Sequence, residues 1–366
     1  MKFLFVGGSN TLMREGYVRH FKFFLEQFCH EEIEIRNIAI GANSCVHGLE
    51  LIKAEQNLSD YDCVVIEYVI NDYQLAKSET IHTWRQAYDG LIRHLIKNCA
   101  PHTRIINLVL GRRSLSTFAW QNRLTREINA LVKKYSSYAS IEIINITRLL
   151  MAICDKKRDV YENLYKDYVH YKPPVVASLV GSLLSNHYIS GLVNPKSIDY
   201  SPLPENYQDN FENSVVVDAS RYSIRKREFK NSHVDLTAAS LSLGETVEIE
   251  LSGTLVAFTY VSTFDSLSVL VEEEGEAPFV IDCQHKWVKG DENRFMSKNF
   301  PLSWKNWSNK GGRKVRFTAI TGLDRDSLMA RYVNQYNIHG PSTQPLSEAC
   351  FYLAGLLVNT SDKIVA

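Results

Sequence analysis

The first half of the chain alternates short, almost continuously apolar runs with amphipathic segments, and this constrains the fold more than any other feature. The runs are Lys2–Val6, Glu34–Ile40, Cys63–Tyr68, Arg104–Leu110 and Ile141–Ile146. They are rich in Val and Ile, as strands covered on both faces are. Between them lie Arg14–Phe28, Val46–Gln56, Ile81–Asn98 and Trp120–Tyr135; the third carries Trp84, Tyr88, Leu91, Leu95 and Ile96 as a helical stripe. Such alternation predicts a parallel sheet with helices on both faces, a three-layer α/β/α domain. Pro173–Leu184 reads as its closing helix, with the prolines in the first turn.

The pattern changes after Gly191. Residues 194–213 hold Pro195, Pro202 and Pro204 among polar residues and read as a linker. Beyond it, Thr246–Leu251, Leu255–Val261, Leu267–Glu272, Phe279–Asp282 and Lys314–Ile320 alternate or run β-branched. Turn residues such as Ser252-Gly253 and Lys310-Gly311-Gly312 separate them, and Phe351–Val358 supplies a last strand. This predicts an all-β sandwich. The division is 1–193, a linker at 194–213, and 214–366.

The 366 residues suit two domains. Lys+Arg and Asp+Glu both number 41, so no general nucleic-acid footprint is expected. The seven cysteines are odd in number and form no C-x-x-C, which indicates neither a disulfide framework nor a zinc site. Lys2 is followed by too few apolar residues for a signal peptide, and no stretch reads as a membrane span. The expectation is a cytoplasmic protein with no metal. The oligomeric state is not legible.

Three of the strand ends carry polar chemistry. Gly7-Gly8-Ser9-Asn10 follows the first run, Gly41 the second, and Asn71-Asp72 the third; Asp167-Tyr168-Val169-His170 lies far downstream. A serine hydroxyl is a poor nucleophile until a base takes its proton. The base, a histidine, needs a carboxylate to fix its tautomer. In an open α/β sheet such groups converge at the carboxyl ends of the strands. Each block alone has an ordinary reading: a turn, a strand end, a cap, a solvated Asp/His pair. Together, in this order, they point to acyl transfer.

These blocks resemble those of the SGNH hydrolases, also called GDSL esterases, over roughly the first half of the chain. The resemblance makes Ser9 the nucleophile and its N–H an oxyanion donor. It makes the Gly41 N–H and the Asn71 side chain the second and third donors, and Asp167 and His170 the orienter and base. Two positions depart from the family pattern: Gly8 stands where an Asp is usual, and Val69 where a Gly is usual.

The family includes esterases and O-acetyltransferases, many acting on carbohydrates. The leading expectation is an O-acetyltransferase that modifies a bacterial surface polysaccharide such as a capsule. It would hold no resident cofactor and would take acetyl-CoA as co-substrate. A carbohydrate acetyl esterase is the alternative, and a glycan-binding protein with a vestigial catalytic domain is a third reading. Arg112 and Arg113 follow the fourth strand and are candidates for a cofactor phosphate or an acidic sugar; a solvated pair ahead of a helix is the plainer reading. His47 reads as structural. Trp287, Trp304 and Trp307 are candidate sugar platforms, with core filling as the commoner role.

Overall fold

The computed structural model describes residues 1–29, 31–77, 80–114, 118–193, 203–204, 210–276, 278–288, 291–302, 313–321, 331–332 and 348–360. It divides into two units, Met1–Glu212 and Asn213–Ala366.

The first unit is a five-stranded parallel sheet in the order β2-β1-β3-β4-β5. The strands are β1 (Lys2–Gly7), β2 (Glu34–Asn37), β3 (Cys63–Glu67), β4 (Arg104–Val109) and β5 (Ser140–Asn145). The helices are α1 (Ser9–Leu12), α2 (Tyr17–Phe28), α3 (Cys45–Ala54), α4 (Ile81–Asn98), α5 (Phe118–Tyr135), α6 (Ile146–Ile153), α7 (Arg158–Glu162) and α8 (Val175–Val193). β1, β3 and β4 are buried almost throughout, which accounts for their largely apolar sequence. One face of the sheet packs Phe3, Phe5, Val65 and Ile106 against α2 and α8. Phe3 meets Phe21 and Tyr188 edge-on, at ring-centroid distances of 5.2 and 5.0 Å. Leu4, Val6, Val64 and Ile66 alternate to the other face, where α3 packs against α4.

Several boundaries depart from the sequence expectation. β2 stops at Asn37 because its side chain turns back: Asn37 Nδ2 donates to the Thr11 carbonyl and Ala39 N donates to Asn37 Oδ1. The Ile40 N–H still donates to the Gly7 carbonyl, so the chain stays beside β1 as far as Gly41. α8 begins after the two prolines, at Val175. It is long and apolar enough by composition to cross a membrane, contrary to the reading above. Here Val176, Val180, Leu184 and Tyr188 fill the core against α2.

Asn210–Glu212, placed in the linker by sequence, belong to the first unit. Gly90 makes room for them on α4: a Cβ there would lie 2.9 Å from Glu212 N. Glu212 Oε2 accepts from Arg93 Nε at 2.6 Å, with both side chains only 3% exposed, and Lys97 reaches the same carboxylate. Asn210 Nδ2 donates to Asp89 at 2.8 Å. Glu212→Ala would leave the Arg93 charge buried without its carboxylate. The expected loss is about 3–5 kcal/mol in urea unfolding of the full chain. A loss under ~1 kcal/mol would mean that the pair behaves like a solvent-screened one.

The second unit is a β-sandwich. One sheet has the order β13-β10-β16-β8-β7, with β6 paired to β16; the other is β15-β12-β11-β14-β9. The strands are β6 (Ser214–Asp218), β7 (Lys226–Lys230), β8 (Asp235–Ser242), β9 (Thr246–Leu251), β10 (Thr254–Thr263), β11 (Ser268–Glu273), β12 (Phe279–Ile281), β13 (Phe295–Pro301), β14 (Arg313–Ile320), β15 (Arg331–Tyr332) and β16 (Cys350–Asn359). Inward residues of both sheets, among them Ile249, Phe258, Val269, Phe317 and Leu356, form one core. In β9, Val247, Ile249 and Leu251 face inward while Glu248 pairs outside with Lys314 and Arg316 of β14.

Candidate active site

The strand order 2-1-3-4-5 reverses direction at β1, and the crevice beyond the carboxyl ends of β1 and β3 is where open α/β sheets bind ligands. Ser9 opens α1 there, directly after β1. His170 Nε2 lies 2.8 Å from Ser9 Oγ, and His170 Nδ1 lies 2.7 Å from Asp167 Oδ2. The structure thus brings Ser9 against His170, 161 positions away in sequence, with Asp167 behind it.

Asp167–His170 form a tight loop between Tyr165 and Tyr171, which pair as an isolated bridge. Asp167 Oδ1 accepts from the N–H groups of Val169 and His170, each at 2.9 Å. Lys166 N donates to the His170 carbonyl, which closes the loop. Desolvation works to raise the Asp167 pKa, but these two N–H donors and the imidazole outweigh it and hold the carboxyl below its ordinary value. Asn10 ties this loop to the nucleophile: its Nδ2 donates to the Val169 carbonyl at 2.9 Å, and its Oδ1 accepts from Tyr171 N.

The two other predicted donors sit beside the serine. A Cβ built on Gly41 would lie 3.5 Å from Ser9 Cβ. Ala42, next in sequence, is in the left-handed region at φ 58°, which bends the chain sharply toward Asn43. The Asn43 carbonyl accepts from Asn71 Nδ2 at 2.8 Å, and Asn43 Nδ2 donates to the Gly41 carbonyl. Asn71 and Gly41 are therefore fixed through one intermediary. The Asn71 amide also packs on the Gly8 backbone, where a Cβ would come within 2.5 Å of Asn71 Oδ1. Any side chain at position 8 would require the Asn71 amide to move.

Two buried carboxyls beneath these loops were not singled out from sequence. Glu67 ends β3; its Oε2 accepts from Thr11 Oγ1 at 3.0 Å and, at 3.4 Å, from Gly8 N. Asp72 accepts from Cys45 N at the start of α3 and from Trp84 Nε1 on α4, at 2.9 and 2.7 Å. A lone carboxyl closing the apolar run Val64-Val65-Ile66-Glu67 was the available signal for the first. Burial pushes Glu67 up to about 8 and Asp72 up to about 7. Both folded pKa values lie above the unfolded ones of ~4.3 and ~3.9, so the folded state holds more protons across that window. Stability is expected to fall as pH rises from about 4 to 8 and then to level. Glu67→Gln should flatten this slope in urea unfolding followed across the window, whatever it does to absolute stability. An unchanged slope would contradict the assignment.

The remaining candidates divide. The Arg112 guanidinium is held by the protein: Nη2 donates to the Ile70 carbonyl at 3.1 Å, and Cζ lies 3.9 Å over the Tyr73 ring. The Arg113 side chain is exposed, and its backbone N–H donates to the Tyr168 carbonyl at 3.0 Å. His47 is buried in α3. Trp287 is 48% exposed and stands edge-on to His285. Trp304 and Trp307 lie outside the described residues.

No protein-family model and no curated protein sequence matches the chain. Among solved structures, a two-domain esterase (CEX) active on acetylated mannans shares the fold, with a TM-score of 0.63 at 14% identity over 98% of this chain and 91% of that one. Its co-crystal with mannopentaose gives 0.62. Shorter structures align with about half of this chain: a lipase/acylhydrolase from Enterococcus faecalis (TM-score 0.43, 18% identity, 54% of this chain and 98% of that one) and an acetyl xylan esterase (0.42, 18%, 51% and 99%). The chain thus has the expected fold, a three-layer α/β/α unit with a parallel sheet followed by an all-β sandwich.

Proposed function

We propose that this chain is a serine esterase that removes acetyl groups from a carbohydrate polymer. The observation that carries the reading is the hydrogen-bonded line from Asp167 through His170 to Ser9, at 2.7 and 2.8 Å, in the crevice at the end of β1. Ser9 Oγ attacks the acetyl carbonyl as His170 Nε2 takes its proton, and Asp167 stabilises the imidazolium that forms. The oxyanion is met by the N–H groups of Ser9 and Gly41 and by Asn71. One Asn71 Nδ2 hydrogen is committed to Asn43, which fixes the amide and leaves its second hydrogen for the substrate. His170 returns the proton to the departing sugar oxygen. Water, activated by the same imidazole, then frees acetate and restores Ser9.

The substrate class is supported by the fold shared with the esterase active on acetylated mannans, which extends over both units. The half-exposed Trp287 is the group on the sandwich that would stack on a sugar ring. The transferase expectation uses the same acyl-enzyme with acetyl-CoA as donor and a sugar hydroxyl in place of water; the exposed Arg113 would then meet a CoA phosphate. One experiment separates the readings. The protein is incubated with acetylated mannan or xylan, and separately with acetyl-CoA and the deacetylated polymer. Acetate released from the acetylated polymer is the expected result. CoA freed only when polymer is present, with acetyl retained on the sugar, would replace the esterase by the transferase. Binding without turnover would replace both by a glycan-binding role.

A further inference from the structure

We infer that Arg112 is a positioning residue for Asn71, and that Gly111–Arg113 is the strut that sets the oxyanion loop against the acid–base loop. The inference rests on the reading of Ser9 as an esterase nucleophile and names a residue that reading does not use. The peptide joining Ile70 and Asn71 is held from both sides. Its N–H donates to the Tyr68 carbonyl at 2.8 Å, and its carbonyl accepts from Arg112 Nη2 at 3.1 Å. Arg112 grips the same turn a second time, because its guanidinium carbon lies 3.9 Å over the Tyr73 ring, two residues on, and 5.5 Å from the ring centre of Trp120 in α5. Val69, standing where the family has Gly, is buried directly before this peptide. The peptide that carries Asn71 is thus held by two hydrogen bonds, with the Arg112 cation over Tyr73 beside it, while Asn43 holds the Asn71 amide itself.

The other half of the strut reaches His170. Arg113 N donates to the Tyr168 carbonyl inside the Asp167–His170 loop, and Gly111 N donates to Tyr171 Oη at 3.2 Å. Tyr161 Oη donates to the Arg112 carbonyl at 3.4 Å and so braces the strut against α7. Three consecutive residues therefore bond to both loops that must meet at one carbonyl carbon. Only a flat guanidinium can stack on Tyr73 while its edge reaches Ile70; an ammonium is a point donor.

The test is a double-mutant cycle on an aryl acetate, with Arg112→Met made in the wild type and in Asn71→Ala, after Ser9→Ala has been shown to abolish turnover. Arg112→Met is expected to lower kcat about tenfold (~1.4 kcal/mol) with KM little changed. In the Asn71→Ala background the same change is expected to cost nothing further, because a residue that acts through Asn71 has nothing left to position. A loss of equal size in both backgrounds, a change in KM alone, or an unchanged kcat would each overturn the inference. If Arg112→Met does not fold, Arg112→Lys keeps the charge without the flat edge, and it is carried through the same cycle with the same outcomes. A wild type with no Ser9-dependent activity would overturn the esterase reading, and this inference with it. A Ser9-dependent wild type indifferent to Arg112 would overturn this inference alone.

Discussion

Ser9→Ala is expected to remove turnover of an acetyl ester almost entirely, on the order of a millionfold in kcat, while the protein stays folded. The size follows from position. Ser9 Oγ is 2.8 Å from His170 Nε2 and stands at the start of α1, two residues past the end of β1, where a departing proton has an acceptor. The oxyanion donors survive the change, so a residual of roughly 10³–10⁴ over water remains. The fold should survive as well, because Ser9 is only partly buried and its loss leaves no large cavity. The check is kcat on an aryl acetate beside urea unfolding of the same preparation. A folded variant with wild-type turnover would remove Ser9 from the mechanism.

His170→Ala is expected to cost nearly as much, and Asp167→Asn less, roughly 10⁴ in kcat. The difference lies in what each atom does. Without the imidazole there is no base. With Asn at 167 the ring remains, but an amide N–H turned toward Nδ1 favours the tautomer protonated at Nε2, which cannot take the Ser9 proton. Acid should act through the same carboxyl. The N–H groups of Val169 and His170 help to hold Asp167 below its ordinary range, so it stays ionised until the pH falls below the usual carboxylate value of ~3.9. The stability it contributes is present above that value and is lost as pH falls through its depressed one. Equal losses for Asp167→Asn and His170→Ala, or no loss for Asp167→Asn, would contradict this division of roles.

The first unit was legible because burial wrote itself into the sequence. A strand covered on both faces is mostly apolar, and β1, β3 and β4 are, apart from Lys2, Glu67, Arg104 and Asn107; α4 carries its stripe at helical spacing and begins and ends at the expected residues. The candidate residues Ser9, Gly41 and Asn71 were legible because each follows a strand of the parallel sheet. The sandwich was less so. β7, Lys-Arg-Glu-Phe-Lys, buries only Phe229 and gives no apolar run. β8 places Ala239 in the sandwich core and Ala238 on the opposite face beside Phe229, both too small to mark a strand. β13 carries Lys298 and Pro301 within an edge strand. The braces of the site were hidden for another reason. Asn10, Asn43, Glu67 and Asp72 act through contacts between segments far apart in sequence, and spacing along the chain records nothing of them. Arg112 stood out as a charge, and its stacking on Tyr73 emerged only from the fold.

Ser9 is proposed to form an acyl-enzyme with His170 as its base. Acid quenching during turnover of an activated acetyl ester, followed by peptide mapping by mass spectrometry, tests it most directly. One added acetyl group is expected, on the peptide that contains Ser9, present in the wild type and absent from both Ser9→Ala and His170→Ala. Acetyl found on any other residue, or still found on Ser9 at the same rate without His170, would contradict it.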